Sequence, residues 1–366
     1  MVIQTSPQHD GVHPKKNSGA YEWWYFDAVD FEGRFSFVVI FYEGNPFSPA
    51  YLKDFREDTS AMASSYPALS CSIYEYGKPV YYSFTEFQPE DAVFDDAPYE
   101  LRVGDHTMRF EETENGNISY VLQLCEYLPS GDSISAQLQF QSGPFHQEME
   151  SEASAGGHQR HSWFLIQPRA SVEGYIQLGN ASKITSDIRF EGTGYHDHNL
   201  GSEPLFQQFN QWYWGRFHFK SGHTVIYYAM EELGEWKNHA WLLQTSGNSI
   251  KLVEWSEKVE LEDRQLSHLG LASARRIRVT GESFEAFIHQ VHPADNGPFY
   301  QRYVAEGVLH SGQYSSPQKA LGVSEYIKPD RISWPVFWPM VRMRLRFGRQ
   351  ASHWVQKSPK LYRWTW

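Results

Sequence analysis

From residue 21 onward the chain is built of short apolar runs broken by turn residues. The run 21–44, YEWWYFDAVDFEGRFSFVVIFYEG, predicts two aromatic strands joined by a turn at Glu32-Gly33. Further strand-like runs lie at 71–76 and 80–84 around Gly77-Lys78-Pro79, and at 101–103 and 107–111. Residues 119–126 and 133–141 flank Pro129-Ser130-Gly131-Asp132. Residues 171–178 alternate, and 182–190 lead into a polar stretch. A hairpin is predicted from 212–220 and 224–231 around Ser221-Gly222-His223. Runs at 240–244, 250–255, 276–279 and 283–291 predict more strands, whereas 256–272 reads as a helix or long loop. Many short strands with Gly and Asn turns point to barrels or sandwiches. Long helices between the strands are missing, which argues against a doubly wound sheet. The predicted class is all-β.

Three segments break the pattern. Residues 1–20 are polar and read as a flexible arm. Residues 143–160, GPFHQEMESEASAGGHQR, read as a surface loop or lid. The tail 331–366 has no acidic residue and carries Arg331, Arg342, Arg344, Arg346, Arg349, Lys357, Lys360 and Arg363. Five tryptophans accompany them, at 334, 338, 354, 364 and 366. VRMRLRF inside the tail alternates as a final barrel strand would. The same composition suits a membrane-surface patch, since Trp sits well at headgroup level and cations attract anionic lipid. A length of 366 residues suggests two domains, divided here as 21–190 and 191–366.

Composition narrows the classes. The chain is 41% hydrophobic and 16% aromatic, ample for a core. A formal charge of −12 lacks the basic balance of a nucleic-acid binder. Two cysteines far apart, Cys71 and Cys125, make neither a disulfide framework nor a zinc motif. The first residues show no secretory apolar run, and no stretch reaches the ~18 apolar residues of a membrane helix. The expectation is a protein of a reducing compartment, most simply the cytoplasm, with peripheral membrane contact through the tail.

The chemistry concentrates in 190–216, FEGTGYHDHNLGSEPLFQQFNQWYWGR. An ordinary strand core uses Val, Ile and Leu, whereas this run is polar and aromatic. In an extended chain, Tyr195, Asp197 and Asn199 share one face while His196 and His198 share the other. Two chemistries follow, beside the plain possibility of a polar strand end bonded to nearby loops. On the first face, aromatic walls desolvate a carboxylic acid and favour its protonated form. Asp197 is then a proton donor to an unactivated alkene, and aromatic faces stabilise the cation. Tyr195 and His161 are candidates to bond or relay its proton; Trp163, Trp212 and Trp214 are candidate walls. His161 and Trp163 are two apart and share a face if extended. On the second face, His196 and His198 are spaced as metal ligands, with His161, His218 or His223 as a third. His-x-His is a weak signal among sixteen histidines, and no metal is assigned. Glu22, in an aromatic strand, reads as a buried salt-bridge partner, Arg216 being one candidate. No Gly-x-Ser-x-Gly, phosphate-loop or Gly-x-Gly-x-x-Gly motif occurs.

HSWFLIQPRA, GTGYHDHNLGSEPL, WYWGRF, GPFYQRYVAEG and GVSEYIKPDRISWP, in that order, resemble the carotenoid 1,2-hydratase (hydroxyneurosporene synthase) family. EWWYFDA resembles the wider superfamily of AttH-like proteins, tocopherol-cyclase relatives and fungal Diels–Alderases. The resemblance runs from residue 21 to about 346. It implies two lipocalin-like antiparallel β-barrel or β-sandwich domains with a ligand cavity in or between them. It implies cofactor-free addition of water to a terminal isoprenoid double bond, giving a tertiary alcohol. The family's H-x-W and G-Y-x-D-x-N positions fall on His161, Trp163, Tyr195 and Asp197. Trp24, Trp212, Trp214, Asn199 and Arg216 are expected to contact substrate. A cyclase or Diels–Alderase on the same scaffold, or a lipid carrier, are the alternatives.

Overall fold

The structure, a computed structural model, describes residues 2–5, 10–57, 61–96, 99–112, 116–145, 161–181, 183–312, 315–348 and 350–366. The chain forms two compact units, Met1–Pro204 with Pro335–Trp366, and Leu205–Trp334. Each is a mainly antiparallel sheet curled as a half-barrel.

The first unit is a thirteen-stranded sheet among the described residues. Its centre is the pairing of Tyr21–Asp30 with Lys183–Gly201, which in turn pairs with His161–Asn180. The two long strands change character along their length. The strand Lys183–Gly201 starts exposed and alternates between exposed and buried side chains from Asp187 to Glu191, so one face meets water. From Gly192 nearly every side chain is buried, and His161–Pro168 opposite is buried on both faces as well. Tyr21–Asp30 is buried throughout but for its last residue. A strand buried on both faces reads as continuous rather than alternating, and this end of the sheet carries the polar cluster. The ladder shifts register twice between Leu165 and Ala170, around Pro168, which has no N–H to give. The core packs on one face, with Trp24, Phe26, Phe41, Leu122, Phe140 and Phe164 among its members.

The second unit is a ten-stranded sheet with its own core, including Tyr213, Phe217, Tyr227, Leu242, Ile277 and Tyr303. Its strands Gln211–His218 and His223–Glu232 form the expected hairpin.

Several expectations need correction. The arm is not loose: Val2–Gln4 pairs in parallel with 162–164, and Asp10 is fully buried. Oppositely charged partners in the core hold it there, as described below. The units do not divide at 190/191, because Lys183–Gly201 runs unbroken through that point. Residues 256–272 contain the strand Val259–Leu266, paired with Ala272–Thr280. Its side chains are mostly exposed, so no apolar alternation marks it. VRMRLRF is not a barrel strand: Trp338–Arg344 is a helix entered through Pro339, and only Arg346–Phe347 joins the sheet. Val341 and Leu345, four apart, are its buried pair, a helical spacing that also satisfies a period of two. Most of the expected lid, 146–160, lies outside the described residues.

Gly192 marks how closely the central strands approach. A Cβ there would overlap the Val29 carbonyl oxygen on the neighbouring strand. Gly192→Ala is expected to destabilise the first unit by about 1–3 kcal/mol, the usual range for overpacking. An unchanged melting temperature would show that the strands separate freely at this point.

Candidate active site

Strand parity places two different chemistries back to back. Asp197 stands opposite Tyr25, Asn199 opposite Trp23 and Trp163, and Gly201 opposite Tyr21 and His161. All these side chains point to the face away from the core. His196 and His198 point into the core, opposite Phe26 and Trp24.

On the first face, three donors converge on Asp197, which is 4% exposed. The Trp163 indole N–H and the Tyr195 hydroxyl both donate to Oδ2, each at 2.7 Å. The Asn199 amide donates to Oδ1 at 3.0 Å. His161 neighbours Asn199, and its Nδ1 bonds the Tyr21 hydroxyl at 2.9 Å. Burial pushes the His161 pKa down to about 3, so the ring is neutral at ordinary pH. The surround is aromatic: Tyr21 stacks on Trp23 at 5.0 Å, and Tyr25 meets Tyr195 edge-on at 6.2 Å. The arrangement can hold, orient and exchange one proton at Asp197 in a setting that excludes bulk water.

On the core face, the arm supplies counter-charges. Asp10 Oδ2 lies 3.0 Å from His196 Nε2, and Oδ1 lies 3.2 Å from His198 Nδ1. Tyr120 donates its hydroxyl to Asp10 Oδ2 at 2.5 Å. Glu22 Oε1 meets His198 Nε2 and His13 Nδ1, each at 2.8 Å, and Lys15 pairs with Glu22 Oε2. Lys15 also reaches Glu43 at 2.5 Å. Burial acts to raise the Asp10 and Glu22 pKa values, but the neighbouring histidines outweigh it. Glu22 falls to about 2 and Asp10 is held well below the carboxylate range. Burial acts to lower His198, yet Glu22 and Asp10 raise it to about 9.

The residues expected from the sequence divide accordingly. His161, Trp163, Tyr195, Asp197 and Asn199 come together as one cluster. Trp24 does not join it: the indole stacks on His198 at 4.6 Å on the core face. Trp212, Trp214 and Arg216 lie on Gln211–His218 of the second unit, where Arg216 is buried and bonds His218 Nδ1 at 3.2 Å. Glu22 is a buried ion-pair partner as expected, but its cations are Lys15 and His198 rather than Arg216. Tyr21, Trp23 and Tyr25 were missed, although their parity in YEWWYFDA, residues 21–28, puts them on one face. As for a metal, His13, Glu22 and His198 bring ligand atoms within 4.8 Å of one another. Each of these groups is already engaged: Glu22 pairs with Lys15, and His198 lies between Glu22 and Asp10. The other proposed third ligands are elsewhere: His161 faces the opposite way, and His218 and His223 belong to the second unit.

Fold and site together define a lipocalin-like β protein built around a buried, aromatic-walled carboxyl group. The carotenoid hydratase CrtC family matches residues 39–355, and the chain belongs to it, a family of hydro-lyases. A hydroxyneurosporene dehydrogenase of Chlorobaculum tepidum is 26% identical, covering 97% of this chain and 95% of that protein. An acyclic carotenoid 1,2-hydratase of Thiocapsa roseopersicina is 26% identical over 89% of this chain and 73% of its own length. Among solved structures, CghA with Sch210972 superposes with a TM-score of 0.58 at 13% identity, covering 87% of this chain and 94% of that one. An AttH-like protein of Nitrosomonas europaea gives a TM-score of 0.58 at 16% identity, covering 88% and 96%. Both share the fold.

The core-face pairs make stability depend on pH. The raised His198 contributes fully below its ordinary value of 6.5, and its contribution is lost as pH rises through about 9. The lowered Glu22 contributes above its ordinary 4.5 and is lost as pH falls through about 2. The melting temperature should therefore decline from pH 6.5 towards 9. In His198→Gln the decline should be shallower, and an identical slope in both proteins would refute the pairing.

Proposed function

We propose that the protein hydrates a terminal carbon–carbon double bond of an acyclic carotenoid or related isoprenoid, with Asp197 as the proton donor. The observation that carries this reading is the convergence of Trp163, Tyr195 and Asn199 on one buried carboxyl group. Two donors on Oδ2 suit a carbonyl-type oxygen, leaving Oδ1 to hold the acidic proton. Asn199 donates to Oδ1 at 3.0 Å, and the acidic proton sits on the other side of that oxygen. Oδ1–H protonates the less substituted alkene carbon, and the π pair forms the new C–H bond. The tertiary cation left behind is stabilised by Tyr and Trp faces. Water adds to it, and the proton it sheds returns to Asp197. The sum is addition of one water, with no electron transferred and no cofactor required by the balance. His161, neutral and bonded to Tyr21, orients Asn199.

Asp197→Asn keeps the shape and removes the acid, so turnover should fall by at least ~10²–10⁴-fold, the usual contribution of general acid catalysis. The assay follows lycopene or neurosporene by mass spectrometry in chelator-treated protein. Gain of one water supports hydration, unchanged mass supports cyclisation, and near wild-type turnover in the variant removes Asp197 from the acid role.

Such a substrate is almost insoluble in water, and no helix among the described residues is long and apolar enough to cross a membrane. We infer peripheral docking through the C-terminal segment. Several tail cations are engaged internally: Arg346 binds Glu126, Arg363 binds Asp132, and Arg344 lies over Tyr82. Trp354, Lys357, Lys360, Leu361 and Trp364 remain exposed on two short consecutive helices, Trp364 by 80%. Tryptophan at headgroup depth and lysine against anionic lipid suit this surface. Flotation with anionic liposomes should show binding that weakens with salt and weakens further when Trp354 and Trp364 are replaced by Ala. Absence of binding at low salt would remove the tail from membrane contact.

A further inference from the structure

The core-face network has no part in the chemistry above, yet it grips the residues on either side of the acid. We propose that Asp10, held between His196 and His198, is a positioning residue that sets the Asp197 carboxyl through the strand they share. The proposal rests on the reading of Asp197 as the proton donor.

Two physical links connect the faces. The first is the backbone itself. His196 and His198 flank Asp197, and their rings are fixed by Asp10 at 3.0 and 3.2 Å and by Glu22 at 2.8 Å. His196 is also stacked on Phe26 at 3.9 Å with the rings 5° from parallel. With both neighbours fixed, the Cα–Cβ direction at Asp197 has little freedom left. The second link runs through the adjacent strand. His196 Nδ1–H donates to the Tyr25 carbonyl oxygen at 3.0 Å, and Tyr25 is the register partner of Asp197. The Tyr25 ring, on the far face, meets the edge of Tyr195, and Tyr195 donates to Asp197 Oδ2.

A proton-feeding role is ruled out by where the chain of groups ends. His13, Glu22, His198, Asp10 and His196 form a continuous series inward from the partly exposed His13. The series finishes on the Tyr25 carbonyl, which only accepts. No proton crosses the sheet by that route, so the coupling is geometric. A plug that merely closed the core would use the same contacts. It would differ in leaving the Trp163–Asp197 bond indifferent to Asp10.

Asp10→Asn retains the shape and removes the charge. Hydration kcat should fall about 10–100-fold with KM little changed, the scale expected when a reacting group is misplaced by about an ångström. The Trp163 indole N–H proton, assigned by its loss in Trp163→Phe, should move upfield and exchange faster with solvent. Tyr120→Phe, which removes one donor to Asp10 at nearly constant volume, should move both readouts the same way by less. It carries the test should Asp10→Asn fail to fold. In an Asp197→Asn background, Asp10→Asn should leave the residual turnover unchanged. An unmoved indole resonance in folded Asp10→Asn, or additive losses in the double variant, would overturn the proposal. The resonance requires no turnover, so it tests positioning even if Asp197→Asn proves active and the acid assignment falls.

Discussion

Charge taken out of water must be matched by opposite charge or by hydrogen-bond donors, and the first unit is arranged around that requirement. Two histidines enter an aromatic core from Lys183–Gly201, where carboxylates from the arm and the first long strand, together with the Tyr25 carbonyl, satisfy them. Removing one partner of such a buried set strands the other, at a typical cost of about 3–5 kcal/mol. The arm is therefore fastened electrostatically, although its composition is that of a solvated terminus. The same backbone then carries a donor-rich, aromatic environment on its other side. Alternation along a strand allows this, because adjacent side chains are separated by the sheet itself.

Much of this was legible in the order of residues. Turn residues and apolar runs located most strands, and period-two parity separated Tyr195, Asp197 and Asn199 from His196 and His198. Parity in YEWWYFDA also contained Tyr21, Trp23 and Tyr25 as one face. The partners of the histidines were harder to see, since Asp10 and Glu22 lie more than a hundred residues away. A clue was present: paired histidines in a doubly buried strand require carboxylates, and Asp10 is the single acidic residue before Glu22. The tail and 256–272 misled for a simpler reason. Short exposed segments carry little burial signal, and over seven residues an arginine–apolar alternation fits helix and strand alike.

The sheet order also shapes how the site can be built. Tyr21–Asp30 pairs first with Phe35–Glu43, but its other edge waits for Lys183–Gly201. Pairings this distant in sequence slow folding, because loop closure precedes any gain from contact. Asp197 and its aromatic neighbours thus depend on a late ladder rather than a local hairpin.

The chain returns to its first unit after completing the second, so residues 205–334 form an insertion with both attachment points in one parent unit. The segments on either side of the insertion consequently belong to the same body. During synthesis the inserted unit is complete before Pro335–Trp366 has left the ribosome. The parent must remain unfinished while its guest matures, with the strand Lys78–Glu86 lacking its last neighbour. Emergence of 335–366, rather than completion of the insertion, then supplies the strand that this edge of the first unit lacks.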